Sequence, residues 1–241
     1  MHVILFHPLV AASGLQFAFE RATTEGKVTI GVLVLLSLFS WTVIVSKARQ
    51  LYLAVKMTRK FMVAFEAAVH PLELPRAGSQ FDGVPAFRVY RRAVSEVERL
   101  LKIAPAAHDP GRMTAPAFEA VKAVLEESAG AEAIGLERGM IVLSTAVSGG
   151  PFLGLLGTVW GVMETFAGIA HANAATLTAM APGVAGALMA TVLGLLVAIP
   201  AMFAYNFMVT TIRNLTQELD AFAIRYAAQI SLLYVARTGA A

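Results

Sequence analysis

Long runs without charged residues dominate the hydrophobic pattern of the chain. The run from Val28 to Val45 is rich in Val, Leu and Ile and is bracketed by Lys27 and Lys47. At ~1.5 Å per residue it is long enough to cross a hydrocarbon core of roughly 30 Å. Gly139 to Met163 and Thr165 to Ile212 also lack Asp, Glu, Lys and Arg, and the polar stretch HANAATLT interrupts the latter. The pattern therefore predicts three transmembrane helices, the last two joined as a hairpin.

Composition supports a membrane protein and excludes several other classes. The 241 residues are 57% hydrophobic and 15% charged, and mean hydropathy is positive. The net charge of +3 does not indicate nucleic acid, because the basic residues are confined to particular loops. There is no cysteine, the His residues are isolated, GLLGTVWG lacks the Lys of a phosphate loop, and VSGG is not a serine-nucleophile turn. The sequence thus predicts no enzyme, cofactor, metal site or nucleic-acid partner.

The positions of Lys and Arg predict the orientation. Two precede the first span, fourteen lie from Lys47 to Arg138, the turn near His171 has none, and three follow Ile212. Because cytoplasmic loops carry the excess of Lys and Arg, the amino terminus and the turn are expected to face outward. The long loop and the carboxyl terminus are then cytoplasmic.

Seven segments follow from these spans. The first, 1–27, faces outward, with an interfacial amphipathic helix at Pro8 to Ala22 rather than a cleaved signal peptide. The others are transmembrane helix 1 at 28–46, a cytoplasmic helical loop at 47–138, helix 2 at 139–169, an outward turn at 170–178, helix 3 at 179–209 and a cytoplasmic helical tail at 210–241.

The cytoplasmic segments carry their own signals. HPLELPRAGSQFDGVP and APAAHDPGRMTAP concentrate Pro and Gly and are predicted turns. They leave helices from about Ser46 to Val69, from Ala86 to Ile103, and from Pro116 into the second span. In the tail, apolar residues recur at steps of three and four and predict a helix that packs in a bundle: Ile212, Leu215, Leu219, Phe222, Tyr226, Ile230 and Leu233. On the middle loop helix, Arg88, Arg91, Arg92 and Arg99 favour a solvated or headgroup-facing surface over a specific binding site.

Small residues recur inside the second and third spans. In lipid, close packing of such residues carries helix association. The positions in the second span are Gly150, Gly154, Gly157 and Gly161, and those in the third are Gly183, Gly186, Ala190 and Gly194. Small-residue faces on both helices require neighbours on more than one side, so the sequence predicts an oligomer.

Polar residues within the spans are candidate functional groups. Thr158 and Thr165 share a helix face at a spacing of seven, and Thr191 lies midway along the third span. Each either bonds its own backbone carbonyl or contributes to a polar ring shared among several copies. Glu164 is the only formal charge between Arg138 and Arg213, and it is either an interfacial group or a pore-facing acid. Pro200 is expected to kink the third span, for structural reasons or for gating.

These motifs resemble a known family. GGPFLGLLGTVWGVMETF and APGVAGALMATVLGLLVAIPAMFAYN, with SWTVIVSKARQL at the exit of the first span, are similar to the MotA/TolQ/ExbB proton-channel family, and most of all to ExbB and TolQ. The resemblance implies an all-α membrane protein in which three transmembrane helices extend as long helices into a cytoplasmic bundle. It also implies a homopentamer around the helices of a dimeric, single-span ExbD/TolR-like partner, which drives a TonB- or TolA-like transducer from the bacterial inner membrane.

The resemblance also bears on the site residues. Thr158 in GLLGT and Thr191 in LMAT match the family's lining threonines. The family acid in PGIAEAL is replaced here by Gly186. Either Glu164 acts as a displaced acid near the outer mouth, or the partner's aspartate takes the proton while threonine hydroxyls and water complete the path. A passive oligomeric scaffold is the alternative function, and the missing acid favours it; a secondary carrier would require internal repeats, which the spans lack.

Overall fold

The computed structural model describes residues 23–73, 80–106, 109–172 and 177–236. The predicted interfacial helix at Pro8 to Ala22 and the residues that follow Ala236 lie outside this part. The described residues form five α-helices: α1 (Thr24–Glu66), α2 (Pro85–Ile103), α3 (Ala115–Glu137), α4 (Met140–Ala172) and α5 (Leu177–Tyr234). Two short strands, β1 (Pro105–Ala106) and β2 (Asp109–Met113), lie between α2 and α3 in the sequence. The fold is all-α apart from this pair.

Three helices are long and apolar enough to cross a membrane, and they lie at Thr24–Glu66, Met140–Ala170 and Met180–Tyr234. Each exposes large apolar side chains, for example Phe39, Phe152 and Phe203. Such side chains require a non-aqueous neighbour, since water-soluble surfaces rarely expose them in continuous bands. The protein is a multi-pass membrane protein. Between α4 and α5, the four residues 173–176 of the predicted turn lie outside the described part.

Two of the helices run well past the predicted spans. Helix α1 continues from the first span to Glu66, because no Gly or Pro interrupts residues 47–66. Helix α5 spans 58 residues and contains both Pro182 and Pro200. The predicted kink at Pro200 remains a prediction.

The helix predicted from Pro116 into the second span is instead divided. Helix α3 begins after Thr114, whose hydroxyl accepts a hydrogen bond from the backbone N–H of Ala117, and it ends at Glu137. Gly139 has φ of +85°. This left-handed conformation favours glycine and ends a helix, so the prediction of one continuous helix was wrong.

The chain forms two compact units. One comprises residues up to Ser46 together with Gly139–Asn206, and the other comprises Lys47–Arg138 and Phe207–Ala241. In the second unit, buried aromatic rings pack around Phe61, which meets Phe87 and Phe222 edge to face and Tyr90 at a tilt, at centroid distances of 5.6–5.8 Å. These large side chains give the second unit its own apolar core.

The stripe predicted in the tail contributes to that second unit. Six of its members are buried, namely Ile212, Leu215, Leu219, Phe222, Tyr226 and Ile230. The seventh, Leu233, is 44% exposed, so its prediction as a packed residue was wrong. It lies in the last turn of α5, where fewer neighbours surround a side chain.

The second predicted turn contains a small sheet that the sequence pattern did not indicate. Strands β1 and β2 pair antiparallel, with Pro105 opposite Met113. The chain end extends this pair, because the backbone N–H of Ala236 donates to the carbonyl oxygen of Met113 at 3.1 Å. The Arg112 guanidinium also donates to the carbonyl oxygen of Val235 at 3.0 Å. These bonds anchor the end of the tail within the second unit.

Candidate functional site

The glycines of the second and third spans bring α4 and α5 into close backbone contact. We call this contact the hairpin interface; its members are Gly150, Gly154, Gly157 and Gly161 of α4 and Ala187, Ala190, Gly194 and Ala198 of α5. A Cβ added at Gly154 would lie 2.8 Å from the Ala190 carbonyl oxygen, and one at Gly161 would lie 2.8 Å from the Ala187 Cβ. Such spacing leaves no room for a side chain. The glycines therefore set the separation of the two helices.

Thr158 and Thr191 meet at this interface. Their Oγ1 atoms are in hydrogen-bond contact with each other. Thr191 also lies within 3.1 Å of the Gly154 carbonyl oxygen, and Thr158 reaches that oxygen at 3.2 Å and the Ala187 carbonyl oxygen at 3.3 Å. Each of the two hydroxyls can thus donate its hydrogen either to a carbonyl oxygen or to the other hydroxyl. Because each hydroxyl can donate and accept, the pair can exchange its donor and acceptor roles without moving a backbone atom.

Helix α1 contacts α4 beside the threonine pair. A Cβ at Gly157 would lie 2.6 Å from the Ala190 Cβ and 3.1 Å from the Thr29 Cγ2 of α1. Thr158, the next residue, points about 100° away around the helix. Thr158 therefore faces a different side of α4 from the contact with Thr29, and both threonines of the pair are half-buried.

An exposed apolar surface flanks the threonine pair on α5. Leu188, Val192 and Leu195 lie within one turn of Thr191 and are all exposed. The threonine pair thus lies beside an apolar surface that no described residue covers.

The other predicted pathway residues are not part of this pair. Thr165 donates to its own helix, to the Gly161 carbonyl oxygen at 2.7 Å, and its side chain lies against Gly183. Glu164 is exposed, and in the described part of the chain no hydrogen bond or ion pair joins it to either threonine. Gly186 is buried, and Pro200 is half-buried within α5. The structure thus brings together two of the four predicted pathway residues.

Sequence reasoning missed some members of the site. Ala187 and Ala198 lie four residues after Gly183 and Gly194, so the recurrence of small residues could have extended the predicted interface to them. Thr29 gave no such signal, because it is a single polar residue at the start of an apolar run. Its role depends on the packing of α1 on Gly157.

Comparisons with known proteins agree with this architecture. The sequence profile described as "MotA/TolQ/ExbB proton channel family" matches residues 87–221, more than half of the chain. The chain belongs to the MotA/TolQ/ExbB proton channel family. The Tol-Pal system protein TolQ of Haemophilus influenzae is 31% identical over 85% of this chain and 88% of that protein. TolQ of Pseudomonas aeruginosa is 36% identical over 72% of this chain and 74% of its own length.

An ExbB protein is similar to this chain over a comparable length. The biopolymer transport protein ExbB of Salmonella typhimurium is 31% identical over 89% of this chain and 84% of that protein. The match to the MotA/TolQ/ExbB family covers the hairpin that carries Thr158 and Thr191. Membership in this channel family establishes that the chain is not an enzyme.

Proposed function

We propose that this chain is the channel subunit of a stator-like motor in the bacterial inner membrane. Five copies surround the transmembrane helices of a dimeric, single-span partner of the ExbD/TolR type. Ion entry down the proton-motive gradient moves the ring of subunits and the partner dimer relative to each other. A TonB- or TolA-like protein transmits this movement to the outer membrane. The similarity of this chain to a Tol-Pal system protein and to a biopolymer transport protein supports this class of function.

The distribution of charge supports the orientation within the inner membrane. The segment 47–138 carries fourteen of the nineteen Lys and Arg residues, which favours a cytoplasmic position. The amino terminus and the turn between α4 and α5 then face the periplasm. Protons therefore enter from the side of that turn.

The position of the Thr158 and Thr191 hydroxyls beside an exposed apolar surface is the observation that carries the proposal. Helix α1 contacts α4 at Gly157 through Thr29, and Thr158 faces a different side of α4. The exposed Leu188, Val192 and Leu195 offer a partner helix an apolar surface next to the pair. A carboxyl group on that helix would find two hydroxyls able to donate or accept as its protonation changes.

We assign the proton-carrying carboxylate to the partner. Gly186 stands where the family has its own acid, and this glycine offers no titratable group. Glu164 is exposed and is not bonded to the threonine pair. In this mechanism the chain supplies the hydroxyls and the close helix packing, while the partner supplies the charge.

Proton flux in proteoliposomes tests this proposal. The chain is co-expressed and co-purified with a single-span partner of the ExbD/TolR type, and mass measurement by light scattering gives the copy number. With the partner present, a pH gradient should drive proton uptake that persists when sodium is replaced by choline. Without the partner, uptake should be absent.

A passive scaffold is the second candidate, and the glycine at position 186 favours it. It predicts the same assembly with no proton uptake in the presence of the partner. That result would contradict the motor proposal, whereas partner-dependent uptake would contradict the scaffold.

A further inference from the structure

One side of α1 carries an open groove lined by cations and apolar groups. Its lining residues are Tyr52, Val55, Lys56, Arg59, Lys60 and Val63, and its volume is about 620 Å³. Spacings of three and four place these residues on one side of the helix. All of them belong to the second unit and are exposed. We call this surface the basic face of α1.

The charge of the basic face is not compensated. In the described part of the chain, no carboxylate lies within ion-pair distance of Lys56, Arg59 or Lys60. Five other cations of the same unit have carboxylate partners: Arg88 with Glu132, Arg91 with Asp82, Arg99 with Glu96, Arg112 with Asp109, and Lys122 with Glu119. The sequence also has no Asp or Glu between Glu25 and Glu66. The three clustered cations of the basic face are therefore available to an external anion.

The apolar residues of the basic face indicate which kind of anion it can bind. The Lys56 Nζ lies 5.7 Å from the centre of the Tyr52 ring. Tyr52 and Val63 are 65% and 64% exposed. Cations beside an exposed aromatic ring and valines match a ligand with a negative head and an apolar body. A free inorganic anion would use only the cations.

The position of these residues favours a lipid. Lys56 follows Ser46, the end of the predicted first span, by ten residues, which is about 15 Å of helix rise. Helical side chains lean toward the amino end, here toward the span, and a lysine reaches back along its stem. Its ammonium group then comes within about a Debye length of the headgroup layer. We infer that the basic face of α1 binds the headgroups of anionic phospholipids.

Native mass spectrometry of the full-length oligomer tests this inference. The probes are phosphatidylglycerol and phosphatidylcholine, and the dissociation constant of each is measured for the wild type and for Lys56→Gln/Lys60→Gln. Wild type should prefer phosphatidylglycerol, and the preference should weaken at high salt. Lys60 lies four residues, about 6 Å of helix rise, farther from the span than Lys56, so most of the effect should come from Lys56, and the double variant should bind phosphatidylglycerol at least about fivefold more weakly.

Two further variants act as controls. Arg92→Gln/Lys102→Gln removes two exposed cations of α2 and should leave phosphatidylglycerol affinity unchanged. Lys56→Arg/Lys60→Arg keeps the charge and should retain wild-type affinity. Equal loss in the α2 control would overturn the inference, because it would indicate a general charge effect. Displacement of the lipid by inorganic phosphate would overturn the assignment to a lipid, and a changed subunit count in the Gln variant would instead indicate a contact between copies.

Discussion

The hydroxyls of Thr158 and Thr191 contact each other across the hairpin interface, and both reach the carbonyl oxygen of Gly154. This contact requires the backbones of α4 and α5 to approach closely, which the missing side chain of Gly154 permits. The contact between the two hydroxyls therefore depends on the close packing of the helices, because a side chain at Gly154 would separate the hydroxyls.

A methyl group at Gly154 is expected to destabilise the hairpin. In Gly154→Ala, the new Cβ would lie 2.8 Å from the Ala190 carbonyl oxygen and 2.9 Å from the Thr191 Cα, and backbone atoms cannot rotate away. The free energy of unfolding should fall by about 1–3 kcal/mol, as in other overpacked sites. Unfolding of the purified protein in detergent measures the change. Gly168→Ala is the matched control on the same helix, since its Cβ would meet no atom within 4 Å; equal stability of the two variants would contradict the close contact.

Thr58 offers a stabilising substitution in the second unit. Its side chain is 0% exposed, and no described residue accepts or donates a hydrogen bond at its Oγ1. Since an unpaired buried hydroxyl costs about 1–3 kcal/mol, Thr58→Val should raise the free energy of unfolding by roughly 1 kcal/mol. Thr58→Ser keeps the hydroxyl and loses the methyl group, so it should lower stability. A lower melting temperature for Thr58→Val than for the wild type would show that the hydroxyl has a partner.

Tyr226 should make the protein sensitive to alkali. Burial raises its pKa above the ordinary value, and its hydroxyl donates to the Pro71 carbonyl oxygen at 3.3 Å. The folded state then keeps this proton at a pH where the unfolded chain, with an ordinary tyrosine pKa of about 10, loses it. Stability should therefore be unaffected by this group below pH of about 10 and decline as the pH rises above it. Melting curves from pH 9 to 11.5 should show a steeper decline for the wild type than for Tyr226→Phe; identical slopes would refute the burial effect.

The sequence predicted the spans and the tail stripe because both depend on local pattern. A charge-free run of eighteen residues from Val28 to Val45 has few alternatives to a membrane helix. The stripe from Ile212 to Ile230 has helical spacing whatever it packs on. The positions at which helices end were harder to predict. Gly139 ends a helix through its backbone conformation, which hydrophobic pattern does not encode.

The site was predicted only in part, because it depends on which residues of α4 lie opposite which residues of α5. Helix spacing places Thr158 and Thr165 on one face of the same helix, seven residues apart, but it does not indicate which residue of the third span lies opposite them. In the structure Thr158 contacts Thr191, and Thr165 bonds its own helix. Which residues face each other across an antiparallel hairpin depends on the turn length and on the glycine contacts. Neither can be derived from one helix alone.

Partner-dependent proton flux through threonine variants is the most direct test of the proposed pathway. Thr158→Val and Thr191→Val keep the side-chain shape and remove one hydroxyl each, so assembly should persist while proton uptake falls by about tenfold. Thr158→Ser should retain uptake. Thr145→Val is the control on the same helix, because its hydroxyl bonds only the Ile141 carbonyl oxygen at 2.8 Å, and it should behave as the wild type. Full uptake in both the Thr158→Val and Thr191→Val complexes would contradict a proton path along this hydroxyl pair.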